Sequence, residues 1–131
     1  MTEDVLHILR ERVKELTALH TTARILQDKT KPAAEVLKEI AAILPPAWQY
    51  PEIAAARISF QHMRAVSEGF AESAWRQTAV FAARDGEEGA IEVFYMEPRP
   101  SADEGPFLKE ERDLIDSLAE MLRSYFQHKL D

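Results

Sequence analysis

Apolar residues recur along the first third of the chain at alternating spacings of three and four. Leu6, Leu9, Val13, Leu16, His20 and Ala23 form one such series. It is the a/d seam of a helix that packs on a partner helix. Val5, Ile8, Leu19 and Leu26 occupy neighbouring positions and widen the stripe. A stripe this broad can touch the body of a domain on one side and another helix on the other. The pattern predicts one long helix over residues 3–28. Thr30-Lys31-Pro32 breaks it, with Thr30 suited to a cap and Pro32 to a first helical turn. Val36, Leu37, Ile40, Ile43 and Leu44 then mark the buried face of a second helix over Ala33–Leu44.

Pro45-Pro46-Ala47-Trp48-Gln49-Tyr50-Pro51 stops that helix, because proline lacks the N–H and its ring clashes with the preceding turn. Trp48 is expected to plug the seam between the second helix and the sheet edge. The period then changes to two. Ala54, Ala56, Ile58 and Phe60 alternate with Ala55, Arg57 and Ser59, the signature of a half-buried strand. Met63–Ser67, Trp75–Arg84 and Glu88–Glu97 supply three further strands. Asp85-Gly86 signals a hairpin, and Gly89 suggests a bulge or tight turn. Gln61-His62 turns without the glycine usual in tight hairpins. Large residues on both faces of the fourth strand predict a central position with both sides covered.

Pro98-Arg99-Pro100 ends the sheet, and a loop through Asp103-Glu104-Gly105-Pro106 leads into a last helix over Phe107–Lys129. Leu108, Ile115, Leu118, Leu122 and Phe126 line one face of it, with Leu114, Met121 and Tyr125 beside them. No Gly or Pro stops it before Asp131, the pattern of a helix that continues into another segment. Two helices, four or five antiparallel strands and a third helix predict an α+β domain spanning residues 1–131, with the long terminal helices packed on one face of the sheet.

Charge narrows the class. The net charge is −7, from 16 Lys+Arg against 23 Asp+Glu, so no basic face for nucleic acid is expected. The acidic pairs Glu87-Glu88, Asp103-Glu104 and Glu110-Glu111 read as solvated faces. No apolar run reaches the ~18 residues that span a bilayer, and the first residues do not form a signal peptide. There is no Cys, which removes disulfides, thiolate metal sites and thiol nucleophiles together. A cytoplasmic protein is the expectation.

Candidate chemistry is sparse. His7, His20, His62 and His128 do not stand at metal-binding spacings, so no metal is expected. The four glycines build no phosphate loop. No nucleophile–base pair can be assembled, and neither an enzyme nor a cofactor is expected. Phe60, Phe70, Trp75 and Tyr95, with Arg57 as a polar contact, could line a small-molecule site; the same aromatics serve equally as core. The long helices point to a homodimer. Leu6, Leu9, Val13, Leu16 and His20 of the first helix would form its interface with Leu118, Leu122 and Phe126 of the last, as a bundle of four helices.

Four stretches carry a family resemblance: Leu16-Thr17-Ala18-Leu19, Leu44–Ala54, Ala56–Phe60 and Asp103–Arg112. Together they resemble small GAF-like sensory domains attached to bacterial and archaeal signalling proteins, sensor histidine kinases among them. Phe70 and Trp75 sit at matching spacings. The resemblance implies an antiparallel sheet with paired terminal helices, a homodimer through those helices, and sensing or relay of signals. The chain departs from the family's pattern in two places: the connection between its second and third strands is short, and His20 stands where this subgroup tends to carry an aromatic. Only Glu68–Ala74 separates the second and third strands, too little for the helical cover of a deep pocket. The absence of Cys rules out the methionine sulfoxide reductase chemistry and the bilin attachment found within that family.

Overall fold

The fold is a computed structural model that describes residues 2–129. The elements are α1 (Glu3–Gln27), α2 (Ala33–Ile43), β1 (Ala54–Phe60), β2 (Met63–Val66), β3 (Trp75–Ala82), β4 (Glu88–Tyr95) and α3 (Lys109–Lys129). Single 3₁₀ turns occupy Pro45–Ala47, Pro51–Ile53 and Arg84–Gly86. The architecture is α+β, as the change of period from 3.6 to two predicts.

The four strands form one antiparallel sheet in the order β2-β1-β4-β3. β4 lies inside it, paired with β1 through Ile58↔Ile91 and with β3 through Ala79↔Ile91. This is the central position that its two apolar faces predict. The β1–β2 hairpin closes on Gln61-His62 because Gln61 takes a left-handed backbone, φ 54°. At the β3–β4 hairpin Asp85 and Gly86 both have positive φ, 62° and 75°, which Asp-Gly tolerates at small cost. Gly89 makes no bulge. It sits in regular pairing opposite Phe60 and Phe81. A Cβ there would strike the Phe81 ring and come within 2.7 Å of the Ser59 carbonyl oxygen.

The helices lie in two layers. α2 covers β1 and β2, and α3 covers β3 and β4, on the same face of the sheet. α1 rests on α2, α3 and the Pro45–Ala47 turn. The core is the inner face of the strands against α2 and α3. Phe60 and Phe126 stack with centroids 3.8 Å apart, and Phe81 stacks beside them. Trp48 is fully buried in the core and donates Nε1–H to Gln77 Oε1 of β3 at 3.0 Å, so its one polar atom is satisfied.

Hairpin geometry leaves alternate β3 residues with their backbone groups pointing away from β4. α3 reaches over that edge. Arg112 Nη1 donates to the Thr78 carbonyl at 3.0 Å, and the same guanidinium is held by Glu104 at 2.7 Å and Asp116 at 2.9 Å.

Candidate interaction surface

The residues expected to share a small-molecule site fall on opposite faces of the sheet. Phe60, Trp75 and Tyr95 face the helices and belong to the core. Tyr95 stacks on Phe107 at 4.7 Å. Arg57 and Phe70 lie on the other face. There Phe70 meets Phe94 edge-on at 5.4 Å, and the Arg57 guanidinium rests against both rings. Arg57 is also held by Glu92 at 2.6 Å and by Glu72, from the short β2–β3 connection, at 2.8 Å. The predicted set therefore does not converge, and its polar member is saturated by carboxylates that hold it firmly charged.

The set expected at a dimer interface also divides. Leu118, Leu122 and Phe126 are buried within one chain, and so are not free to meet a partner. The physical reason is that α3 lies directly on the sheet, and its whole apolar stripe is used there. α1 is different. Leu9, Val13, Leu16 and His20 are exposed and Leu6 is half-buried. Val13 is 61% and Leu16 55% exposed, and Ile8, beside them, reaches 64%.

Helical geometry explains the division. At about 100° per residue, Ala18, Thr22 and Leu26, the buried residues of α1, fall on one side. Leu9, Val13, Leu16 and His20 fall on roughly the opposite side. α1 thus has two working faces, and one chain occupies only one of them. Thr2 starts the helix by accepting from Val5 N–H at 3.2 Å, with Glu3 and Asp4 in the first turn favouring its dipole. The docked residues lie in the second half of the helix, and the exposed stripe runs along the other side from Leu9 to His20.

A buried carboxylate lies behind this surface. Glu111 is 2% exposed, against the expectation that the pair Glu110-Glu111 is solvated. Its oxygens accept from Gln49 N–H at 2.7 Å, Leu108 N–H at 2.8 Å and the Tyr95 hydroxyl at 3.4 Å. It ties the proline-rich segment, the start of α3 and β4 to one point. Burial pushes its carboxyl up to about 7, against the pull of the two backbone N–H groups. Burial also raises the Tyr95 hydroxyl, with Glu111 adding to it. The signal for this residue was present in sequence: Glu111 stands three after Leu108 and four before Ile115, inside the apolar stripe.

The chain matches no family model, no curated protein and no solved structure among those with which it was compared. Among the described residues no group of His, Cys, Asp and Glu could hold a metal ion, and no helix is long and apolar enough to cross a membrane. The exposed stripe of α1 is the surface on which a functional reading rests.

Proposed function

We propose that this protein is a non-enzymatic regulatory module of the GAF-like type, acting as a homodimer that relays signals through its terminal helices. One observation carries the reading: α1 presents Leu9, Val13 and Leu16 to solvent on the side opposite its docked face. A contiguous exposed strip of this kind marks an interaction site. Burying each of these half-exposed side chains contributes roughly 1 kcal/mol, and a two-fold interface counts each twice.

The way α1 is mounted supports a relay. It touches the sheet mainly through α2, α3 and the Pro45–Ala47 turn, so it can shift against them in discrete steps of packing. A ligand or neighbouring domain biases such a shift only through contacts that differ between the two arrangements. A kinase or another signalling domain would receive the change. Light scattering on Leu16→Glu tests the dimer: the native chain should run at twice the variant's mass, and equal masses would sink the reading.

A second reading is a dimerisation module that binds no small molecule. The packing of Phe70 on Phe94, with Arg57 already paired, favours it. Mass spectrometry of the natively purified protein separates the two. A small molecule released on denaturation supports sensing, and its absence in preparations from several growth conditions supports the second reading.

A further inference from the structure

Glu111 is held by three donors, and all three are neutral: the N–H groups of Gln49 and Leu108 and the Tyr95 hydroxyl. Among the described residues no Lys, Arg or His forms an ion pair with it. The charged group that faces it from α1 is a second carboxylate, Glu11, whose cation Lys14 stands at 3.1 Å. β4 and the proline-rich segment bring only tyrosines, Tyr95 and Tyr50. On α3 itself Lys109 and Glu110 are exposed, and Arg112 is spent on Glu104 and Asp116. A buried carboxyl in such surroundings favours its protonated form. The dipole at the start of α3 favours the charge, but burial is the larger effect.

The part of α1 nearest this group is also the part least held. Ala18, Thr22 and Leu26, the residues buried on α1, all fall in its second half. The first half meets the fold at two places. His7 Nε2 lies 3.4 Å from the Gln49 side-chain nitrogen. Ile8, Leu9 and Arg12 share a groove with Leu108 and Glu110. Gln49 and Leu108, one at each place, are the two residues whose backbone N–H groups Glu111 holds. One carboxyl therefore sets both seats of the first half of α1.

We propose that Glu111 is a proton-operated latch: carrying its proton it keeps Gln49, Leu108 and the first half of α1 seated, and on losing the proton it lets them loosen. In the loosened arrangement water reaches the carboxylate, and Glu11 and Glu111 separate. The seated arrangement binds the proton more tightly than the loosened one. It is favoured below about 4.5 and loses that advantage as pH rises through about 7. Between those limits each pH unit multiplies the loosened population by up to about ten. The latch stands without the dimer; only its part as an input to the relay rests on that reading.

Amide hydrogen exchange, read residue by residue and corrected for the intrinsic effect of pH, tests the latch. From pH 5 to pH 8 the protection of Gln49, Leu108 and Ile8–Lys14 should fall by a factor on the order of tens, while that of Thr22–Leu26 holds. In Glu111→Gln the fall should vanish. That variant keeps His7, so a fall that persists in it belongs to another group and overturns the proposal. A fall confined to Gln49 and Leu108 overturns it too, because Glu111 then secures its own donors and not α1. Glu11→Gln gives a second arm: removing the facing carboxylate should move the fall to lower pH, and an unmoved fall counts against the latch. The fall should appear equally in Leu16→Glu. A chain that is monomeric by light scattering yet shows it overturns the dimer and upholds the latch.

Discussion

Two side chains carry much of the burden at the residue scale, and they differ in how readily a sequence discloses them. Trp48 is enclosed and its indole N–H is spent on Gln77. Trp48→Ala should cost on the order of 3–5 kcal/mol of unfolding free energy, since it opens a cavity and strands the Gln77 amide. Urea titration would measure it, and a loss below about 1 kcal/mol would refute the plug. Trp48 was legible because an aromatic between prolines at a helix end has few places to go but inward. Glu111 reads as solvated although it stands inside the apolar stripe, because its charge outweighs its position and one of its partners, Gln49 N–H, is 62 residues away in sequence. Its value in the fold, about 7, lies above its ordinary 4.5. Between those limits the folded chain keeps a proton that the unfolded chain has released. The stabilisation this proton brings is present below about 4.5 and is lost as pH rises through about 7. Glu111→Gln cannot titrate, so native stability should fall relative to that variant between pH 5 and pH 8. Parallel pH profiles of urea midpoints for the two proteins would contradict the assignment.

Among the elements, periodicity disclosed every helix and strand to within two residues at each end. Local rules suffice there, since proline, the turn residues and the change of period mark boundaries directly. Periodicity also gave the width of each helix stripe. It did not say which part of a stripe one chain consumes, because that depends on layering. α3 lies on the sheet and spends its whole stripe inside the fold, whereas α1 lies outermost and keeps half of its stripe free. Substitutions should separate the two cases. Leu122→Glu places a carboxylate at a fully buried site and should unfold the chain or cost roughly 3–5 kcal/mol. Leu16→Glu should leave the helical circular dichroism signal intact while abolishing the proposed dimer. Similar damage to the fold by both substitutions would mean that α1's outer face is structural. The split of Arg57 from Phe60 in the predicted site, by contrast, follows from the strand alternation itself. Phe60 and Arg57 are three residues apart in one strand, and an odd spacing sends side chains to opposite faces.

At the scale of the whole molecule, hairpins were readable and the rest of the sheet was not. Asp85-Gly86 joins β3 to β4 locally, but β1 pairing with β4 crosses the sequence between them and has no local signature. Gly89 belongs to that long-range order. Its missing side chain admits Phe81 on one neighbouring strand and the Ser59 carbonyl on the other. Gly89→Ala should therefore cost about 1–3 kcal/mol through overpacking, read as a lower melting temperature. An unchanged melting temperature would mean the Phe81 ring moves aside freely. The Arg112 guanidinium, seated on the Thr78 carbonyl with Glu104 and Asp116 around it, has a consequence beyond the single chain. A sheet that ends in an eight-residue strand offers a template on which further chains can add strand by strand. Arg112 stands guard at the middle of that template, so what it protects is colloidal: the ability of many copies to stay apart in a crowded solution.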